Sequence, residues 1–253
     1  MRHARVAWGG AVHSAVEAEG ALWLTHGPHH NRRVALDEVV WLPPLEPLPR
    51  PRTVIALGLN YADHARELAF KAPSEPLAFM KGESSLIGHR GFTRRPPAVQ
   101  MMHYECELAV VIGRAARRVR RDDAYDFVAG YTVANDYAVR DHLENWYRPN
   151  LRVKNRDGGT PLGPWRVDAA DVPDPMALWL RTTVNGQVTQ SGRTGDMIFD
   201  VPALIEHFSA FMTLLPGDLL LTGTPDGVAD CRPGDEVCCE IEGLGALVNT
   251  ITD

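Results

Sequence analysis

Hydrophobic and polar positions alternate in short stretches along most of the chain, which is the pattern of half-buried β-strands. The first of these stretches read RVAW, AVHSAVEAEG and ALWLT, and they lie within residues 4–25. Turn signals such as Gly9-Gly10 separate them. The pattern predicts a small β-rich unit at the N-terminus.

Five prolines between Pro43 and Pro51, in WLPPLEPLPRPR, then break the alternation. Proline-rich segments are extended and semi-rigid, and the composition of the chain changes across this one. We therefore predict a boundary here. A small N-terminal domain with its proline-rich linker occupies residues 1–50, and the main domain occupies residues 51–253.

Short strands recur through the main domain. One segment, Leu108 to Ile112, is continuously apolar, which is typical of a strand buried on both faces. The other predicted strands read TVIALGLN, EPLAFMKG, GYTVANDYAV, DLLLTG, DEVCCEIEG and ALVNTI.

Predicted helices are few and short. ADHARELAF has helical spacing and ends before Pro73, and RRDDAYDFVAG predicts a short helix that Asp122 or Asp123 can cap. The clearest helix is DVPALIEHFSAFMTLLPGD, with Asp200 as its cap and Pro202 in its first turn. Its apolar stripe comprises Leu204, Ile205, Phe208 and Met212. Because short strands dominate, the sequence predicts an α+β fold with a mixed sheet.

Charge and composition narrow the classes of ligand. The 26 basic and 32 acidic residues give a formal net charge of -6, which argues against binding to nucleic acid or to an anionic membrane surface. The apolar runs are too short for a membrane span, and MRHARVAWGG has no long apolar h-region, so we expect a cytoplasmic protein. The four cysteines show no zinc spacing, so reduced thiols are expected. No G-x-G-x-x-G or P-loop sequence indicates a nucleotide cofactor.

The segment HYECELAVVIG carries the strongest chemical signal. In a strand, His103, Glu105 and Glu107 share one face, while Tyr104 points to the other and is expected in the core. Two adjacent carboxylates repel each other unless a proton or a cation lies between them, although a solvated edge strand is an alternative. Asp136 ends another apolar strand 29 residues further along. Three carboxylates delivered by two strands suit Mg²⁺ or Mn²⁺ better than zinc, with His103 beside the ligands and not among them.

HGPHHNRR offers a second possible metal site. His26, His29 and His30 surround a Pro-Gly turn, but no carboxylate accompanies them. A solvated loop is the commoner interpretation of such a segment.

A pair and a run of polar residues supply candidate acid, base and anion-binding groups. His64 and Glu67 are three residues apart, so a helix places them on one face, either as a proton-transfer pair or as a surface contact. Their helix, residues 61–72, could close as a lid. The run RPNLRVKNR is either a solvated basic loop or an anion site, in which arginines bind a distal carboxylate and Lys154 stabilises an enolate.

These segments together resemble the fumarylacetoacetate hydrolase family. The matching motifs, in order, are LGLNYADHARE, EPLAFMKG, MHYECELAVVIG, VANDYAVRD, LRVKNRDGGTPLGPW, VNGQVTQSGRTGDMIF and LLTGTPDGV. The resemblance runs from about Thr53 to the C-terminus. ENWYRPNLRVKNRDG is similar to the branch of the family that acts in the homoprotocatechuate pathway, where some bacteria use a duplicated fusion chain; this sequence resembles its C-terminal half, preceded by a separate N-terminal unit.

The resemblance implies a β-roll or sandwich-like fold, a Mg²⁺ (or Mn²⁺) site and a homodimer. It also implies roles for particular residues: Glu105, Glu107 and Asp136 as metal ligands, His64, Glu67 and Lys154 as catalytic residues, and Lys81, Arg152 and Thr224 as substrate contacts.

The expected activity is decarboxylation, enol–keto isomerisation, or both, of an unsaturated 2-oxo di- or tricarboxylate from aromatic catabolism. Hydrolysis of a C–C bond in an acylpyruvate or 1,3-diketone is the main alternative, and oxaloacetate decarboxylation is another. A non-enzymatic, metal-stabilised binding module would leave His64, Glu67 and Lys154 without roles.

Overall fold

The computed structural model describes residues 1–27, 29–63, 73–143 and 151–253. Within these ranges strands dominate and helices are few, and parallel and antiparallel pairings occur in the same sheets. The predicted α+β class with a mixed sheet is therefore confirmed.

The predicted N-terminal β-unit is present. Its strands are β1 (Arg2–Trp8), β2 (Ala11–Ala18), β3 (Ala21–Leu24), β4 (Arg33–Val34) and β5 (Val40–Leu42). They enclose a small core of their own, formed by Ala4, Val6, Ala15, Leu22, Leu24, Val34 and Trp41.

The main domain supplies the remaining strands. They are β6 (Val54–Gly58), β7 (Leu77–Lys81), β8 (Leu86–Ile87), β9 (Phe92–Arg94), β10 (Met102–His103), β11 (Cys106–Ile112), β12 (Val128–Asn135), β13 (Ala138–Val139), β14 (Thr160–Asp168), β15 (Trp179–Val184), β16 (Gln187–Arg193), β17 (Leu219–Leu221), β18 (Glu236–Ile241) and β19 (Gly245–Thr252).

One large sheet runs through both parts of the chain, in the order β4-β3-β2-β1-β14-β12-β11-β17-β6-β7. A second sheet has the order β16-β15-β18-β19-β9, and β10 and β13 form a two-stranded sheet. Strand β1 joins the two parts, since Arg2 pairs with Val167 and His3 with Arg166. The division at residue 50 stays a prediction, and the two parts it separates share a continuous sheet.

Strand β11 lies inside the large sheet, between β12 and β17, and is buried along its whole length. On one face Leu108 and Val110 join the main core, which also holds the second sheet. On the other face Ala109 and Val111 pack in a separate apolar cluster. The prediction of a strand covered on both faces is confirmed, and the two glutamates at its start therefore lie at the edge of two cores.

The described ranges include the α-helices α1 (Leu151–Lys154) and α2 (Val201–Phe211). Asp200 caps α2 as predicted, because its Oδ1 accepts the Ala203 N–H at 2.9 Å. Neither described helix is long and apolar enough to cross a membrane.

The predicted cap at Asp122 or Asp123 is wrong. That segment is a 3-10 helix, Arg121–Phe127, and its cap position is Arg120, without a side-chain hydrogen bond. The two aspartates lie inside the first turn. A negative charge there is favoured by the free N–H groups of the turn, although the side chain does not cap the helix.

Candidate metal centre

The pairing of β11 with β12 brings three carboxylates together. Cys106 pairs with Asn135, and the Asp136 N–H donates to the Glu105 carbonyl at 2.9 Å, so Glu105 and Asp136 flank the same end of the ladder. Ligand oxygens of Glu105, Glu107 and Asp136 lie within 4.8 Å of one another. Glu107 and Asp136 are fully buried and Glu105 is 6% exposed. The alternative of a solvated edge strand is therefore excluded.

Two hydrogen bonds fix the backbone of Glu105 and the side chain of Glu107. Asn135 accepts the Glu105 N–H through Oδ1 at 3.0 Å, and the Gly223 N–H donates to Glu107 Oε2 at 2.8 Å. Position 223 requires glycine, since φ is +88° and a Cβ would lie 2.9 Å from the Cβ of Asn60. The other oxygen of Glu107, Oε1, is buried and has no hydrogen-bond partner among the described residues.

Two buried lysines converge on the carboxylates. Lys154 Nζ lies 2.6 Å from Glu105 Oε2, 2.9 Å from Asp136 Oδ2 and 3.2 Å from the Asp136 carbonyl. Lys81 Nζ lies 2.5 Å from Asp136 Oδ1 and also donates to the Lys154 carbonyl. Phe79 places its ring 5.6 Å from Lys154 Nζ. With all five groups ionised, three carboxylates and two ammonium groups give the cluster a formal charge of about −1.

The environment drives the pKa values of these groups in different directions. Burial, and then the charges of Asp136 and Glu105, raise the pKa of Glu107 well above its ordinary value. Burial alone would lower the pKa of Lys154, but the neighbouring carboxylates outweigh it and raise that pKa. For Lys81 burial prevails over the attraction of Asp136, and its pKa is lowered.

These residues fit a hard divalent cation. The cluster offers carboxylate oxygens only, which Mg²⁺ and Mn²⁺ prefer, and zinc sites normally use histidine or cysteine. The unpartnered Oε1 and the raised pKa of Glu107 both indicate that a further positive charge would stabilise its ionised form. In the described part of the chain His26, His29 and His30 form no comparable group.

The neighbours of the strand take the predicted faces. Tyr104 is fully buried in the main core, and its hydroxyl donates to the Gly227 carbonyl at 3.0 Å. His103 is also fully buried, and its Nδ1 lies 3.7 Å from Glu105 Oε1. It therefore borders the carboxylate cluster without belonging to it.

Lys81, Thr224 and Arg152 are the predicted substrate contacts, and of these Lys81 lies against Asp136. Thr224 follows Gly223, is 2% exposed, and its Oγ1 accepts a hydrogen bond from Gln190 Nε2 at 3.0 Å. Arg152 is exposed on α1. Burial, and then the positive charges of Arg152 and Arg156, lower the pKa of His142, so these two arginines lie near His142.

Several predictions fall outside the described residues. They concern the pair His64 and Glu67, Arg148, and most of the proposed lid, from residue 64 to 72.

Sequence reasoning missed how closely Lys81 is tied to the carboxylates. A compositional signal was available, because only three of the 26 basic residues are lysines: Lys71, Lys81 and Lys154. Two of the three meet at Asp136. The ammonium group of lysine is a compact point charge, and in both of these residues it is buried against the carboxylates.

Known proteins resemble the chain in sequence and in structure. The profile of the fumarylacetoacetate (FAA) hydrolase C-terminal domain matches residues 53–252. A 4-hydroxyphenylacetate degradation bifunctional isomerase/decarboxylase of Salmonella dublin is 58% identical over 205 residues, which cover 81% of this chain and 48% of that protein. The protein of the same name from Escherichia coli is 56% identical over 225 residues, 88% of this chain and 52% of its own length. The chain thus spans about half the length of these curated relatives.

A solved structure extends the similarity to the whole chain. The 5-carboxymethyl-2-hydroxymuconate delta-isomerase of Mycobacterium smegmatis superimposes with a TM-score of 0.86 and 38% identity, covering 100% of this chain and 98% of that one. The predicted family resemblance and the predicted fold are both confirmed.

Proposed function

Because the chain belongs to the fumarylacetoacetate hydrolase family, we propose that it decarboxylates and isomerises an unsaturated 2-oxo di- or tricarboxylate of 4-hydroxyphenylacetate or homoprotocatechuate catabolism, with Mg²⁺ or Mn²⁺ at Glu105, Glu107 and Asp136. The observation that carries the proposal is the buried cluster of three carboxylates contacted by two lysines. The identity to bifunctional isomerase/decarboxylases supports the reaction and the substrate class.

Charge balance favours an anionic ligand that chelates the metal. A divalent cation added to a cluster of formal charge about −1 leaves an excess of about +1. A buried excess charge is costly, and the carboxylate of a 2-oxo acid would neutralise it. When bound, the metal polarises the 2-oxo carbonyl as a Lewis acid.

Lys154 supplies the chain's own contribution to the chemistry. In decarboxylation the C–C bond to the departing carboxylate breaks, CO₂ leaves, and the electron pair stays on the substrate as a dienolate that a proton later quenches at carbon. In isomerisation the enol loses its O–H proton and gains one at carbon. An ammonium group with a raised pKa stays charged and stabilises the negative oxygen in both reactions.

The remaining roles rest on the family resemblance. His64 and Glu67 would carry the protons, and Thr224 would bind the carboxylate near the metal. The distal carboxylate would bind at the cationic surface formed by Arg152 and Arg156.

The test uses purified protein and the unsaturated 2-oxo dicarboxylate. We expect a metal-dependent loss of the dienol absorbance, CO₂ release from the tricarboxylate, and no activity after chelation or in Asp136→Asn. Glu236→Gln, a substitution of an exposed glutamate on β18, is the control and should be fully active. Cleavage of an acylpyruvate, or CO₂ release from oxaloacetate, without turnover of the dicarboxylate would instead identify one of the alternative activities.

The homodimer and the cytoplasmic location are part of the same proposal. Size-exclusion chromatography with light scattering should give a mass twice the chain mass of 27.9 kDa. A monomeric mass would contradict the dimer and leave the chemistry untouched.

A further inference from the structure

An arginine reaches the metal centre through a histidine. His103 is fully buried, and Arg140 Nε donates a hydrogen bond to its Nε2. The other ring nitrogen, Nδ1, lies 3.2 Å from the Tyr104 carbonyl and 3.7 Å from Glu105 Oε1. The imidazole therefore lies between a guanidinium and one of the three carboxylates.

The backbone fixes this arrangement from both sides. Strands β10 and β13 pair His103 with Ala138, and the Arg140 N–H donates to the Met101 carbonyl at 2.9 Å. Asp141 accepts the N–H groups of Gln100 and Met101 at 2.7 and 2.8 Å. The segment that leads into the metal-binding strand is thus held by the two residues that follow β13.

We propose that Arg140 is a positioning residue that fixes the tautomer of His103 and, through it, the orientation of Glu105. A guanidinium is always charged and can only donate, so His103 Nε2 must accept. A neutral imidazole then carries its single hydrogen on Nδ1, on the side of Tyr104 and Glu105.

The tautomer matters for the carboxylate. At 3.7 Å the contact with Glu105 Oε1 is longer than a hydrogen bond, and it is an attraction between the N–H dipole and a charge. Lys154 holds the other oxygen, Oε2, at 2.6 Å. One oxygen of Glu105 therefore faces the ammonium group of Lys154 and the other faces the N–H dipole of His103. The neutral ring adds no charge to the cluster. The role in metal binding depends on the proposed function, whereas the tautomer does not.

The first experiment measures the tautomer directly. In ¹⁵N-labelled full-length protein, two-bond ¹H–¹⁵N correlation spectra distinguish the two neutral forms of each histidine, and His103→Gln identifies the signals of residue 103. We expect the Nδ1–H form in the wild type and in Arg140→Lys, and a shift toward the Nε2–H form in Arg140→Met. An Nε2–H ring in the wild type, or an unchanged tautomer in Arg140→Met, would overturn the proposal.

The second experiment is a double-mutant cycle on metal affinity. Calorimetric titration with Mn²⁺ should show binding weakened by about 10- to 100-fold in Arg140→Met, the range found when the partner of a ligand residue is removed. In a His103→Gln background the same substitution should change the affinity by less than about twofold, because its effect passes through the ring. Arg120→Met, at an arginine whose side chain is 76% exposed, is the matched control and should bind like the wild type.

Independent, additive losses in the cycle would show that Arg140 does not act through His103, and the proposal would be wrong. If Arg140→Met does not fold, two measurements still test the proposal. They are the tautomer of the wild-type ring and the Mn²⁺ affinity of Arg140→Lys, which is expected near that of the wild type. A protein that has the Nδ1–H ring and binds Mn²⁺ but lacks the proposed activity would refute the proposed function and leave this inference standing.

Discussion

Replacing Glu107 by glutamine should stabilise the protein and abolish metal binding at the same time. The substitution keeps the shape of the side chain, and the amide oxygen can still accept the Gly223 N–H that now donates at 2.8 Å. It removes a charge from a fully buried position. Burial and the neighbouring carboxylates of Asp136 and Glu105 raise the pKa of Glu107, so the ionised form is the one that the fold disfavours.

The size of the effect follows from the geometry. The ligand oxygens all lie within 4.8 Å of one another, and two charges at that distance interact by about 3 kcal/mol at an effective dielectric constant of about 20. The nearby lysines offset only part of the repulsion from Asp136 and Glu105, and the cost of burial is the largest contribution. That cost is several kcal/mol for a buried ion, and protonation already relieves part of it. We expect Glu107→Gln to gain about 1–2 kcal/mol, a rise in Tm of about 2–8 °C for a chain of this size.

Added Mn²⁺ should reverse the order of thermal stability of the wild type and Glu107→Gln. A ligand at about 100 times its Kd stabilises the folded state by about 2.7 kcal/mol, so the wild type should gain about 5–11 °C with Mn²⁺. Glu107→Gln should gain almost nothing, because it has lost one of three ligands. Scanning calorimetry with EDTA and with Mn²⁺ measures all four states, and Glu236→Gln on β18 controls for the loss of an exposed carboxylate.

Two outcomes would refute this reasoning. A variant less stable than the wild type in EDTA would mean that Glu107 contributes to folding more than it costs. An undiminished shift with Mn²⁺ would mean that the cation binds elsewhere.

Two further predictions concern a lysine and a histidine. Lys154→Met should lower turnover by about 10²–10³-fold, the loss typical of a group that stabilises a developing oxyanion, and should cost about 3–5 kcal/mol of stability because it leaves buried carboxylates without a partner. Steady-state kinetics and calorimetry measure the two effects, and near-normal turnover would remove its assigned role. Burial, and then Arg90, lower the pKa of His89 from 6.5 to about 4, and its Nδ1 accepts the Val248 N–H at 3.0 Å. The unfolded chain therefore binds the proton first, so the stabilising contribution of the neutral ring is complete above about pH 6.5, falls by about 2 kcal/mol at about pH 5, and is lost through about pH 4. The free energies of unfolding of the wild type and His89→Gln, obtained from thermal melts, should diverge by this amount between about pH 7 and pH 5. An equal dependence on pH in the two proteins would contradict the lowered pKa.

Local patterns in the sequence predicted the strand that carries the carboxylates. The apolar run from Leu108 to Ile112 required cover on both faces, and the two-residue period placed Glu105 and Glu107 on one side of the strand. The same two-residue period placed Tyr104 on the opposite side, in the core. Each of these inferences needed only neighbouring residues, which is why the sequence sufficed.

Features that depend on contacts between distant segments could not be predicted in this way. The pairing of β1 with β14 involves only two residue pairs, so no pattern near residue 50 shows that the sheet continues across it. The contact of Arg140 with His103 depends on an equally short pairing between β10 and β13. The cap expected at Asp122 or Asp123 failed for the same reason, since where the 3-10 helix begins is not fixed by its own residues.

Because lysine is scarce in this chain, isotope labelling of lysine would report almost selectively on the carboxylate cluster. A host fed ¹⁵N-lysine would label three side chains in the whole chain, and two of them, Lys81 and Lys154, contact Asp136. The arginines, which carry the rest of the positive charge, would be unlabelled and would give no ¹⁵N signal. Ammonium resonances are normally lost to rapid exchange with water, but amines buried against carboxylates are shielded from it. The binding of metal or substrate, and the effect of each variant, could therefore be followed through two nitrogen signals from the carboxylate cluster, with a single other lysine as background.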